Sequence, residues 1–438
     1  MKKAKKELTI EEKREKNRKI LVLYRTLSVD LLFFYAISYL FLTNVKGFTS
    51  AQVVFADSFY PLAKLSCQIP FTIVVQKIGK KRALVIASLG IFFYVLATTF
   101  AFSVALLVLA NLFLGVAYTF KGLCDSTIVY DSLEDDGHRP ENFSKFESKA
   151  LSIFYLLDSV TSLATGFLYI VSPYLPLIIC LCIEAVVVLV ASRLYDIPEE
   201  VSQVETKEKK SFKQDLKDIL SNLAISFKFI FKSSRLHSLI IYHSLFGSLL
   251  TLMVTLRRSL LADVNVSSEY FGIIFTVLGI VASVASSKSF AIHQKYRNRT
   301  LTFLGISFSI SIIISGLVLM VKMPIWLMYY LLLLMFATQY ILKGPFYTLI
   351  KQYLNSFSNN ELRLKIYSAN SLIEYVVSTI ITFSCSFLLT MFTNAQATLI
   401  VGCFALFAFI GLLIYMLDKV GLKPEQYKKE DIDYSYLK

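Results

Sequence analysis

The sequence predicts an all-α polytopic membrane protein with twelve transmembrane helices arranged as two parallel six-helix halves. Composition is the first observation behind this. The 438 residues are 55% hydrophobic and only 17% charged, with a mean hydropathy of +0.61, which is membrane rather than soluble chemistry. The second is a recurrence of apolar runs of about 20 residues, each long enough to cross ~30 Å of hydrocarbon at ~1.5 Å per residue. The third is an internal repeat at near-constant offset.

The runs fall at 20–43, 52–75, 83–104, 106–130, 147–170 and 173–192, then at 237–262, 270–292, 301–321, 324–350, 366–389 and 395–417. They divide the chain into a basic N-tail (1–19), an N-terminal half (20–193), a linker (194–236), a C-terminal half (237–418) and a tail (419–438). The opening MKKAKKELTIEEKREKNRK is expected to stay as a cytoplasmic extension. The apolar run behind it is too long for a removable signal peptide and lacks a small-residue cleavage site.

The repeat supports the two halves. A shift of 218 residues lays ILVLYRTL on SLIIYHSL, placing Tyr24 on Tyr242 and Arg25 on His243. The same shift lays Ser50 on Ser268 and Gln76-Lys77 on Gln294-Lys295, and a shift of 222 lays Lys121 on Lys343. Six spans per half return the chain to the side where it began, so the repeat is parallel rather than inverted.

With both termini inside, 36 of the 45 Lys and Arg fall in cytoplasmic segments, while Lys46, Arg257, Arg258 and Lys322 fall on the outer side. The net charge of +14 is therefore a topology signal obeying the positive-inside rule. Nucleic acid is excluded as a partner, and anionic membrane lipids are expected instead. In the linker, Leu216, Ile219, Leu220, Leu223, Phe227 and Ile230 recur at helical spacing among Lys213, Lys217, Lys228 and Lys232. An amphipathic helix lying on the inner leaflet fits that pattern, as does a helix covering the cytoplasmic rim. The six Cys all lie inside spans and read as packing residues, so no metal, disulfide or cofactor is expected.

Twelve spans in two parallel halves, a long basic central loop and a short basic turn after the second span of each half resemble the major facilitator superfamily. The loop VVQKIGKKRAL matches the family signature at Lys77, Gly79, Lys80, Lys81 and Arg82, with Thr72 at the leading Gly and Gln76 at the Asp. YDSL at 130–133 looks like the end of the fourth helix in an efflux-like subgroup of these transporters. The resemblance implies that Asp131 joins Lys77 or the Lys80–Arg82 cluster in a cytoplasmic gate. It also implies that the first and fourth helices of each half line a central pathway.

Charges at bilayer depth carry the functional expectation. Each costs ~2.5–3.5 kcal/mol on insertion scales, so such residues face a cavity or a partner. Asp30 and Lys121 each lie about ten residues, ~15 Å, from the inner ends of their spans. Arg25 and Asp125 also share a depth, and Lys121 and Asp125 are i,i+4 neighbours. The stretch TFKGLCDSTIVYDSLEDDG thus runs from membrane-depth charge, through the helix end, to a solvated acidic loop. These residues form either a packing network or a pathway in which Asp30, Lys121, Lys343, Arg25 and His243 meet the substrate. Asp30, then Glu374, then Asp125 are the candidates for carrying a proton. Tyr24, Tyr35, Tyr118 and Tyr347 on the pathway spans supply hydroxyls.

The expected function is secondary active transport by alternating access. The first reading is proton-coupled efflux of a small amphipathic compound by a monomer in the cell membrane. Uptake of an anionic metabolite together with protons or another ion is the alternative, and a non-transporting receptor or assembly protein is a third. Four dispersed His offer no enzyme-like cluster, and no phosphate-cradling Gly-rich loop occurs.

Overall fold

The computed structural model describes residues 9–133, 138–197, 212–288, 299–356 and 360–419, and among these there is no strand. The acidic loop 134–137, most of the polar linker, the basic turn 289–298 and the tail beyond 419 lie outside the described residues.

The helices are α1 (Ile10–Ser28), α2 (Ser50–Asp57), α3 (Phe59–Ile78), α4 (Lys80–Thr99), α5 (Val104–Asp131), α6 (Arg139–Val171) and α7 (Leu175–Ser192). They continue as α8 (Phe212–Lys232), α9 (Ser234–Asp263), α10 (Ser268–Ser287), α11 (Arg299–Met320), α12 (Ile325–Ser356), α13 (Asn360–Met391) and α14 (Asn394–Lys419). Ten of the twelve predicted spans correspond to continuous helices long and apolar enough to cross a membrane.

The first two predicted spans are interrupted. The first starts early, because Thr9 and Glu12 form a capping box that carries the helix back to Ile10. It then ends at Ser28, passes through turns at 32–37, and resumes as a short helix at Ser38–Leu40 that runs into a π-helix at Phe41–Val45. Phe33 sits in the left-handed region at φ 61°, a conformation that costs a non-glycine residue on the order of 1–3 kcal/mol and that clusters at functional sites. The second span breaks at Ser58, whose buried hydroxyl donates to the Val54 carbonyl at 2.9 Å.

The chain divides into two compact units. One is Met1–Ser38 with Ser66–Lys217, and the other is Tyr39–Leu65 with Asp218–Lys438. The units therefore do not follow the sequence halves over residues 39–65. In the first, Leu21 and Tyr24 of α1 pack with Ala83 and Ala87 of α4, Phe120 and Cys124 of α5, and Val187 of α7. Helices α4 and α5 approach closely at Gly90, where an added Cβ would lie 2.9 Å from that of Ala117.

In the second unit α9 is buried along most of its length. Tyr242 and Phe246 of α9, Phe308 of α11, Phe346 of α12 and Phe409 of α14 form its aromatic centre, into which Val54 of α2 also packs. Helix α8 buries Leu223, Ser226, Phe229 and Ile230 and leaves Leu220, Ile225 and Phe231 exposed. One side of it is thus buried and another is an exposed apolar strip.

Candidate functional site

In the first unit α1, α5 and α6 bring together three of the charges considered above and a fourth, Glu147. Arg25 Nη1 pairs with Asp125 Oδ2 at 2.6 Å, and Nη2 pairs with Glu147 Oε2 of α6 at 2.5 Å. On the other side of Asp125, Lys121 Nζ lies 3.0 Å from Oδ2, and the Tyr24 hydroxyl donates to Oδ1 at 3.1 Å. Lys121 also donates to the carbonyl of Ser28, the last residue of α1, and to its hydroxyl. Two cations and two carboxylates thus close a nearly buried chain in which each charge has an opposite partner, the condition under which buried ions are tolerable.

Asp30 stands apart from that chain. It lies half-buried just beyond the end of α1, where Oδ1 accepts from the Tyr118 hydroxyl at 3.0 Å and from its neighbour Leu31 N at 2.9 Å. Depth matching paired Asp30 with Lys121, but no such ion pair forms. The i,i+4 carboxylate and the freed end of α1 both compete for the ammonium and lie nearer to it. Asp30 therefore carries a carboxyl with no ion-pair partner among the described residues at the point where the first span loses its helix. Broken helices of this kind line cavities in secondary transporters.

The expected cytoplasmic gate resolves into separate contacts. Lys80 Nζ meets Asp131 Oδ2 at 2.6 Å, with both side chains mostly covered. Lys77 and Arg82 are exposed and lie outside that pair. Gly79 has φ 88°, so its turn suits glycine alone, and an added Cβ would come within 2.8 Å of Asp196 Oδ2. Asp196 also accepts from Lys81 N at 2.7 Å, capping the first turn of α4, while Lys81 lies over Tyr195. Asn17 of α1, fully buried, donates to Ser132 Oγ at 3.0 Å and the Tyr195 carbonyl at 2.8 Å. An acid from the segment after α7 thus reaches the basic turn whose family acid is replaced by Gln76.

In the second unit His243 and Glu374 stand on adjacent turns of the α9–α13 contact, and Lys343 has a separate environment. His243 is buried, stacked on Phe346 with Nδ1 3.1 Å from Asn370 Oδ1. Glu374, one turn along α13, sets a carboxyl oxygen 2.9 Å from where a Gly247 Cβ would be, and glycine there is what makes room for it. Lys343 is exposed, 5.9 Å from the Tyr340 ring, so the repeat that relates it to Lys121 does not carry over the environment.

Sequence reasoning missed Glu147, which stands at the very start of the 147–170 run, although α6 runs back to Arg139. Arg257 and Arg258, expected towards the outer end of the 237–262 run, are both buried near the C-terminal end of α9.

The match to known proteins follows the fold. A family model described as Major Facilitator Superfamily matches residues 25–382. No curated protein sequence is significantly similar to the chain. Among solved structures, a mutant of nucleoside transporter NupG superposes with a TM-score of 0.69 at 15% identity, covering 93% of this chain and 100% of that one. A mutant peptide transporter POT in complex with sulfate gives 0.66 at 13%, covering 95% and 99%. A D-xylose-proton symporter gives 0.66 at 12%, covering 92% and 99%. At such identities these likenesses show the fold.

Proposed function

The chain belongs to the Major Facilitator Superfamily, and from that premise we propose that it is a proton-coupled secondary transporter exporting a small amphipathic compound by alternating access. It is a multi-pass membrane transporter rather than an enzyme. The observation that carries the coupling reading is Asp30, a carboxyl held by neutral donors in the break of the first span, with no ion-pair partner among the described residues. A carboxyl placed so can exchange a proton as the pathway opens to either side. Glu374 in α13 is the second carrier. Asp125, locked between Arg25 and Lys121, acts instead to position those helices.

Contacts within the second unit support alternation. Segment 39–65 packs on helices of the C-terminal half. Thr255 donates to Asp57 at 2.9 Å, Ser386 donates to the Ala51 carbonyl at 3.2 Å, and Phe55 and Phe59 meet Phe383 edge-on. In the expected topology these contacts close the outer side, and the opposite state requires them to part. YDSL supports export. Import of an anionic metabolite is the second reading, favoured by the cations Arg257 and Lys343. The protein works as a monomer in the cell membrane with both termini cytoplasmic. Exposed Leu220, Ile225 and Phe231 of α8, among Lys217, Lys228 and Lys232, rest on anionic lipid.

The test is flux in proteoliposomes with a panel of neutral, cationic and anionic amphipathic compounds. The native chain should move at least one of them uphill when a pH gradient is imposed. Asp30→Asn should abolish the gradient dependence and leave downhill exchange. Flux indifferent to both the gradient and the substitution would overturn the coupling.

A further inference from the structure

Arg25 and Lys121 each find a carboxylate. Arg257 does not. It is 3% exposed, and among the described residues no carboxylate lies within ion-pair distance of it. Asp57, the acid on the neighbouring segment, is bonded to Thr255 instead. The described partners of Arg257 are neutral: Nη1 donates to Gln339 Oε1 at 2.8 Å, and the guanidinium lies 4.9 Å from the centre of the Tyr340 ring. Nε, fully buried, has no acceptor. Gln339 is itself fully buried, and its amide nitrogen is directed to Ser315 Oγ at 3.4 Å, which turns its carbonyl to the arginine.

A second cation reaches the same ring. Lys343, one turn along α12, lies 5.9 Å from the centre of Tyr340. Two positive groups from α9 and α12 therefore converge on one aromatic ring. Removing a charge from water without a counter-ion is among the least favourable arrangements a protein can hold. A guanidinium has five N–H donors in a planar fork that fits a carboxylate or a phosphate, and here Gln339 and Tyr340 engage part of that fork and leave Nε without an acceptor.

We propose that Arg257, Lys343 and Tyr340 form a binding site for the anionic group, carboxylate or phosphate, of an aromatic or amphipathic ligand. Arg257 takes the oxygens on the N–H groups that Gln339 and Tyr340 leave open, Lys343 adds charge from the exposed side, and Tyr340 lies against the apolar part. This deepens the transporter reading and rests on it only in calling the ligand a substrate.

The test is thermal unfolding of the purified full-length protein with benzoate or phenyl phosphate, against benzamide and benzylamine as neutral and cationic counterparts. An anion should raise the midpoint where its counterparts do not, and which of the two acts identifies carboxylate or phosphate. Arg257→Gln should weaken the anion effect at least about tenfold while leaving the unliganded midpoint unchanged or higher, since an uncompensated charge has gone. Lys343→Gln, at an exposed position, should weaken it about threefold or more without touching the fold. The site is overturned if the native protein shows no anion preference or if Arg257→Gln retains it. It is also overturned if Arg257→Gln lowers the unliganded midpoint while Lys343→Gln leaves the anion effect intact, the pattern of a plain tether for Gln339. Binding needs no gradient, so anion-selective binding without gradient-driven flux would remove the transport reading and keep the site. Coupled flux without anion preference would do the reverse.

Discussion

Tyr118 donates a 3.0 Å hydrogen bond to Asp30 and so ties the unwound part of the first span to α5. The bond joins a group that can carry a proton to a helix whose own charges are already compensated. Tyr118→Phe should cost about 1 kcal/mol of stability and slow proton-coupled flux several-fold, while flux down a substrate gradient changes less. Thermal unfolding and initial rates in liposomes read the two effects separately.

Arg25 is the hub of the buried chain, shared between Asp125 and Glu147. Arg25→Gln leaves those carboxylates facing each other with only Lys121 for compensation. It should destabilise the protein by about 2–3 kcal/mol, toward the low end for broken buried pairs because Glu147 is partly hydrated. Adding Glu147→Gln should recover about 1 kcal/mol or more. Equal midpoints for the single and double variants would show that the two residues do not share a network.

Lys80 and Asp131 form a partly covered pair at 2.6 Å. Its contribution to stability should be small, about 0.5–1 kcal/mol, and its main effect should fall on transport. Asp131→Lys should slow turnover, and Lys80→Asp added to it should restore a large part. Failure of the reversed pair to restore turnover would remove this contact from the gate.

At the basic turn, Gly79 and Asp196 constrain each other. Gly79→Ala meets both a left-handed φ of 88° and the Asp196 carboxylate, and should cost about 1–3 kcal/mol. Asp196→Ala removes the cap on Lys81 N and should cost about 1 kcal/mol. In the double variant the two costs should sum to less than their separate values, because the carboxylate that crowds the added methyl is gone. Midpoints in detergent measure all three.

Hydropathy made ten spans legible, since a twenty-residue apolar run in a helix has few other readings. The interruption of the first span was not legible, because residues 29–37 contain neither Gly nor Pro and the break rests on Phe33 in a left-handed turn. Depth counting found Arg25 with Asp125, two residues on regular helix. It failed for Asp30, where the count of 1.5 Å per residue no longer holds past Ser28. Glu147 and Arg257 were missed for a common reason: each sits near the end of its apolar run, where a charge reads as facing water, and only the packing of neighbouring helices covers it. The acid at the basic turn was invisible because it comes from Asp196, far along the chain from Gln76.

The coupling role of Asp30 is tested most directly by following protons themselves. With a pH-sensitive dye trapped in proteoliposomes and a transported compound added on one side, the native protein should move protons in step with the compound. Asp30→Asn should still exchange the compound while the dye stays silent. Proton movement persisting at the native rate in Asp30→Asn would contradict Asp30 as the coupling acid and pass that role to Glu374.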